Sequence, residues 1–291
     1  MTLPIITLLS DFGLKDPCVA EMKAVILGIS PDARIVDISH SIDKFDLRMG
    51  AFVLASAAPY FPDGTIHVGI IDPDVGTERR ALIVRTKRYF YIGPDNGLLM
   101  LAAEKDGIRQ IRAIENPAFA LCRISSTFHG RDIFAPAAAH LANGVPPREF
   151  GREIKDCKIP LFSKPTLRAD RKLIGEVLHV DDFGNLITNV TSSDLTKSGI
   201  KPTERLNVRL KGALLHLSLC KTYGEAPIRS TLALIDSHGF FEIAVNQGNA
   251  SQKLEAKVGD SLAVSQALLC HVVEFVINNY FPATCTSSNL M

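Results

Sequence analysis

At 291 residues the chain has room for two domains of roughly 150 residues each, or for one large α/β domain. Its 32 basic and 31 acidic residues leave a net charge of +1, which gives no electrostatic basis for nucleic acid or an anionic membrane as partner and favours a small neutral or zwitterionic ligand. No apolar run reaches the roughly 20 residues that span a bilayer, and the six cysteines contain no C-x-x-C pair, so a zinc site or redox dithiol is disfavoured and reduced thiols in a cytoplasmic protein are expected.

Taken in order, Ile5 to Leu9 is an aliphatic run without a basic stretch before it, a poor signal peptide and a good buried first strand. It stops at Ser10-Asp11-Phe12-Gly13, which puts Asp11 at a strand end. Met22, Val25, Ile26 and Ile29 recur at helical spacing over Glu21 to Ile29, Ser30-Pro31 closes the helix, and Arg34 to Ile38 completes a βαβ unit. Asp46 to Tyr60 reads as an amphipathic helix through Leu47, Ala51, Leu54 and Ala58.

The stretch from Ile66 to Arg80, IHVGIIDPDVGTERR, is where an active site is expected. A β-branched run breaks into Asp72-Pro73-Asp74-Val75-Gly76, with proline fixing φ and glycine admitting a left-handed turn. The C-terminal edge of an open α/β sheet is where ligand crevices form, so Asp72 and Arg79 emerge where a substrate can meet them; a solvated loop is the plain alternative. Ala81 to Thr86 and Tyr89 to Ile92 are strands joined by a tight turn at Lys87-Arg88, and Leu98 to Glu104 is a short helix. Alternating strands and helices predict an α/β layer fold.

Ser125 to Asp132, SSTFHGRD, precedes a helix predicted over Ile133 to Asn143. A helix start suits an anion or a neutral imidazole, and equally Ser125 and Thr127 can serve only as caps. Prolines and mixed charge between Gly144 and Asp170 place a domain boundary there, dividing an α/β domain over 1–160 from a second domain over 170–291. In that second half Gly175 to Val180, Arg205 to Leu210, Thr231 to Ile235, Phe240 to Val245 and Ser261 to Val264 read as short strands of a small β-barrel or sandwich. Asp181 to Asn189, DDFGNLITN, reads either as an Asx turn or as a site that stacks and hydrogen-bonds a planar base.

The phosphate cradles of dinucleotide-binding and P-loop proteins are missing, and SDFG stands without the other kinase motifs. His40, Asp43 and Asp46 match no metal-cage spacing and read better as a solvated acidic loop. Asp11, Asp72, Arg79 and His129 remain, a set able to position a water for attack.

With SDFG at 10–13, VDISHSI at 36–42, the stretch from 66 to 80, GPDNGLL at 93–99, SSTFHGRDIF at 125–134, VDDFGN at 180–185 and DSHGFFEIAVNQG at 236–248, the chain resembles the S-adenosylmethionine hydroxide adenosyltransferases, relatives of the fluorinase and chlorinase. The resemblance implies an N-terminal α/β domain, a C-terminal β-barrel, and a homotrimer with ligand between one subunit's N-domain and a neighbour's C-domain. It implies hydrolysis of S-adenosylmethionine to adenosine and methionine, with no cofactor and no metal. By resemblance Asp72, Arg79 and His129 are the water-activating triad, Asp11 holds the ribose hydroxyls and Asp16 the methionine amine. Phe183, Asn185 and Tyr223 fall on the adenine side, Ser237 and His238 on the methionine carboxylate, and Gln247 on backbone contacts to the base.

The halogenase relatives carry tyrosine at the position of Asp72 and a long insertion where this chain has Lys87-Arg88, so water is the expected nucleophile; a non-catalytic sensor of adenosine or S-adenosylmethionine is the alternative from another class. One departure from the family pattern stands at Asp74, where members carry glycine. A carboxylate there is expected to perturb Asp72 or to require a different turn.

Overall fold

The computed structural model describes residues 3–159, 164–201 and 205–267. Cys270, Cys285 and the end of the expected second domain lie outside the described residues.

The first sheet orders its six strands β2-β1-β3-β5-β4-β6. These are β1 (Ile5–Ser10), β2 (Arg34–Ser39), β3 (Ile66–Ile70), β4 (Ala81–Thr86), β5 (Phe90–Pro94) and β6 (Ile108–Ala113). Strands β1, β2, β3 and β5 run parallel, while β4 is antiparallel to both β5 and β6. Alternation along each strand sends its side chains to two different cores. Ile6, Leu8, Val68 and Ile83 pack with α1 (Cys18–Ile29) and with the later helix over Ala135–Ala142. Leu9, Leu82, Val84 and Tyr91 pack with α2 (Leu47–Ala57) and α3 (Met100–Asp106). The result is a three-layer domain whose fourth helix, α4 (Ala135–Ala142), lies beside α1.

Two helices start differently from the sequence pattern. α1 begins at Cys18, three residues before its predicted start at Glu21, with Pro17 at its cap. The helix expected from Ile133 is preceded by a π-turn at Gly130–Phe134, and the α-helix proper begins at Ala135. Helix α2 is capped by Asp46, whose carboxylate accepts from the Arg48 and Met49 amides, a contribution of about 1 kcal/mol.

The second sheet curls into a nearly closed antiparallel barrel, in the order β11-β10-β14-β8-β9-β13-β12. A bridge between Leu219 and Ala233 draws its ends together. Its strands are β7 (Thr166–Leu167), which pairs with β8, then β8 (Leu173–Val180), β9 (Leu186–Thr191), β10 (Arg205–Leu210), β11 (Ala213–Ser218), β12 (Thr231–Ile235), β13 (Phe240–Val245) and β14 (Ser261–Gln266). Two short helices, α5 (Ser192–Ser198) and α6 (Ala250–Leu254), are additions to the sequence reading, as are β6, β7, β9 and β11.

Helix α2 joins the two domains. Phe52 stacks on His179 with centroids 4.7 Å apart and leans on Phe240 at 5.7 Å, while Arg48 pairs with Glu176 of β8. Lys105 of α3 lies over the Phe240 ring at 5.2 Å. Among the described residues no helix is long and apolar enough to cross a membrane.

Candidate active site

β1 and β3 are adjacent, with Ser10 opposite Ile70, so Asp11 and Asp72 leave neighbouring strands at the same edge of the sheet. From Asp72 the chain turns through Gly76, whose φ of +80° excludes most side chains. A Cβ there would lie 2.2 Å from the Ser126 carbonyl oxygen, so the bare glycine lets the Asp72–Arg79 loop press against the loop that carries His129. Phe12 packs edge-to-face on Phe128 at 5.6 Å, holding the Asp11 loop to the same group.

Arg79 is the hub of the cluster. Its Nε donates to Asp72 Oδ1 at 2.9 Å and its Nη2 to Asp72 Oδ2 at 2.5 Å, a bidentate pair with side chains only 4% and 5% exposed. Nη2 also donates to His129 Nδ1 at 2.7 Å, and the guanidinium lies over the Phe134 ring at 5.3 Å. Burying so close an ion pair costs several kcal/mol per ion before Coulomb attraction offsets it, so the pair is weak evidence of a stabilising role. Burial pushes the His129 imidazole below its ordinary 6.5, and the positive charge of Arg79 pushes the same way. Nη1 of Arg79 donates to no acceptor among the described residues.

The π-turn seats His129. Asp132, fully buried, accepts from the Ser125 amide at 2.7 Å and from Arg131 Nε at 2.7 Å, and Arg131 reaches Glu21 of α1. Ser125 also accepts from the Thr127 and Phe128 amides, so it organises the turn before His129 without capping α4. Asp11 takes the Phe45 amide on Oδ2 at 3.0 Å, and its carbonyl takes Lys44 Nζ. Asp16 is exposed on the loop before α1.

The Asp74 carbonyl accepts from the Thr77 amide and hydroxyl, and its half-exposed carboxylate faces Lys158 Nζ at 3.9 Å. The 40–46 loop is not simply solvated: His40 is buried against Ser10, and Asp46 caps α2.

The barrel residues form a second group. Asn185 donates from its backbone and its amide to Asp181, an Asx turn that leaves Asn185 buried and Phe183 78% exposed. Tyr223, Ser237 and His238 line a cavity of about 490 Å³ with Asp181, His179 and Glu242. Glu242 is buried, accepts from the Tyr223 hydroxyl at 2.9 Å, and is pushed up to about 7 by burial, which outweighs the hydrogen bond from Tyr223. Sequence reasoning passed over it, although a lone acid in FFEIAV was the available signal. Gln247 sits in the left-handed region, φ 52°, in the turn after β13. No hydrogen bond or ion pair among the described residues joins this group to Asp72, Arg79 and His129.

A three-layer α/β domain carrying a buried carboxylate–guanidinium–imidazole cluster at its sheet edge, fused to a small barrel with a polar cavity, is the architecture of a two-domain enzyme for a small ligand. The chain belongs to the SAM hydroxide adenosyltransferase family, whose N-terminal domain matches residues 6–151 and whose C-terminal domain matches residues 175–263. It is 39% identical to the (R)-S-adenosyl-L-methionine hydrolase of Thermus thermophilus over 86% of this chain and 95% of that one. It is 31% identical to the fluorinase of Nocardia brasiliensis, covering 90% and 96% of the two chains. The crystal structure of an uncharacterized conserved protein from Thermotoga maritima superimposes with a TM-score of 0.84 at 39% identity, covering 89% of this chain and 99% of that one.

Proposed function

We propose that this protein hydrolyses S-adenosyl-L-methionine to adenosine and methionine, with Asp72, Arg79 and His129 acting on the attacking water. The observation that carries the reading is the buried Arg79 that holds both Asp72 and His129. The relatives' name specifies the R configuration at sulfur, and we extend that preference to this chain.

The nucleophile reaches the ribose 5′ carbon in line with the departing sulfur. A sulfonium cation meeting a hydroxide-like nucleophile loses charge on the way to the transition state, so a closed pocket with fixed dipoles does not penalise it. Arg79 holds the incipient hydroxide, His129 orients the water through its Nε2–H, and Asp72 takes up the proton. A buried carboxylate at position 72 repels a halide, and β4 and β5 are joined without an insertion, so water is the nucleophile.

Asp11 holds the ribose hydroxyls and Asp16 the methionine amine. Phe183, Asn185, Tyr223 and the Gln247 backbone take the adenine, and Ser237 with His238 takes the methionine carboxylate. The site forms between two subunits of a homotrimer. Supporting this, Phe183 is 78% exposed in the single chain, and the loops beside Asp11 expose Leu14 and Phe45, apolar groups that a neighbouring subunit would cover. A cytoplasmic location suits the free thiols of Cys18, Cys122, Cys157 and Cys220.

The test is incubation with each sulfur epimer in oxygen-18 water, followed by chromatography and mass spectrometry. Adenosine labelled at its 5′ hydroxyl, unlabelled methionine and faster loss of the R epimer are expected. Free adenine or labelled methionine overturns displacement at the 5′ carbon.

A further inference from the structure

The VDISHSI motif contributes no residue to the roles proposed above, yet it runs directly beneath Asp11. His40 is buried, and its Nδ1 lies 2.7 Å from Ser10 Oγ. Ser10 Oγ accepts from the Phe12 amide at 3.3 Å, and the His40 carbonyl accepts from the Gly13 amide at 2.8 Å. Residues on both sides of Asp11 are therefore tied to one histidine. On the far side of the ring, Nε2 lies 3.1 Å from Asp37 Oδ1, an ion-pair contact outside hydrogen-bond geometry, and Asp37 Oδ2 takes Lys23 Nζ at 2.6 Å.

Ser10 Oγ receives the Phe12 N–H and also meets His40 Nδ1, so one hydroxyl links the backbone beside Asp11 to the ring. The backbone is shaped for this contact: the β1–β2 register slips between Leu8 and Leu9, pairing Leu8 with Asp37 and Leu9 with Ser39. Irregularities of that kind re-aim side chains beside active sites. The constellation is no nucleophilic triad, because Ser10 is 1% exposed.

We infer that the Ser10–His40–Asp37 chain is a positioning device for Asp11, with His40 at its centre, and that it sets the enzyme's preference for a substrate with an intact ribose diol. The inference rests on the reading of Asp11 as the ribose-holding residue. Lys44 and the Phe45 amide hold Asp11 from the side, while the relay fixes the height and direction of its backbone.

The experiment compares S-adenosylmethionine with its 2′-deoxyadenosyl analogue as substrates for the wild type and for Asp11→Ala, Ser10→Ala, His40→Phe and Asp37→Ala. For Ser10→Ala and His40→Phe, KM for the parent substrate is expected to rise about tenfold and the parent-over-deoxy ratio of kcat/KM to fall by about the same factor, with kcat changed by less than about threefold. Asp37→Ala moves the same quantities less, and Asp37→Asn, which keeps a polar oxygen facing Nε2, restores them. A merely structural role predicts equal losses on both substrates.

If the preference disappears in Asp11→Ala but survives in Ser10→Ala and His40→Phe, the relay is overturned and the Asp11 reading stands. If the wild type treats both substrates alike, or Asp11→Ala keeps the preference, the Asp11 reading fails and this inference falls with it. Should the buried variants not fold, Asp37→Ala against Asp37→Asn decides, since Asp37 lies at the relay's exposed end.

Discussion

Arg79 Nη2 donates to His129 Nδ1 across 2.7 Å, and because a guanidinium only donates, the imidazole must meet it with a lone pair. His129 is thus held neutral, its proton on Nε2. The cluster is a cation bonded to one anion and one neutral acceptor, and its working form exists only while His129 stays unprotonated.

That condition sets the acid limb of the pH–rate profile. Burial and Arg79 both lower the His129 pKa, so the neutral form persists below the ordinary 6.5 and is lost as pH falls through the folded value. Turnover is expected to be flat from pH 7 upward to mild alkali and to decline with unit slope only on the acid side of about 6.5. An acid limb that begins above pH 7 would contradict the arrangement.

Arg79→Lys keeps a positive charge but loses the fork that serves Asp72 and His129 together. A fall in kcat on the order of 100-fold is expected, with the substrate dissociation constant changed little. Calorimetric binding alongside single-turnover rates separates the two. Equal losses in both would make Arg79 a substrate anchor.

Glu242 makes a stability prediction with the opposite sign from most carboxylates. Its folded pKa is raised from 4.5 to about 7, so its contribution favours folding at low pH and is lost as pH rises through 7. Glu242→Gln, which keeps an acceptor for the Tyr223 hydroxyl, should exceed the wild type by less than about 1 kcal/mol at pH 5 and by up to roughly 3 kcal/mol at pH 9. Urea denaturation at the two pH values reads the difference, and equal shifts at both would refute the assignment.

Shared sites predict complementation between inactive chains. If each site joins one subunit's Asp72 to a neighbour's Asn185, randomly mixed trimers of Asp72→Ala and Asn185→Ala chains regain about a quarter of their sites. Mixed trimers verified by mass spectrometry that remain inactive would place each site within one subunit.

Asp11 and Asp72 were legible in the sequence because an aliphatic run broken by glycine or proline marks a strand end, and strand ends at a sheet edge are where ligands meet the chain. The strands missed fail that pattern for physical reasons. β6, IRQIRA, interleaves charges along a sheet edge, and β9 begins directly after an Asx turn and was read as part of it. The π-turn was hidden because Gly130 interrupts the apolar period before it starts. The contact of Arg79 with His129 rests on Gly76 meeting Ser126, a tertiary approach between segments 50 residues apart that local periodicity does not encode. The resemblance supplied their partnership, and the geometry supplies its reason.

The Phe52–His179 stack and the Arg48–Glu176 pair fasten the barrel to the layered domain through a single helix. A hinge between the domains would have to unstack that aromatic pair and strand a half-buried ion, so the subunit has no inexpensive way to gape. On the shared-site proposal, products depart by a different route, through displacement of short segments such as the one bearing Phe45 or through slight parting of neighbouring subunits. Egress then depends on the same apolar contacts that complete the pocket, so strengthening those contacts should prolong adenosine's residence and slow each cycle.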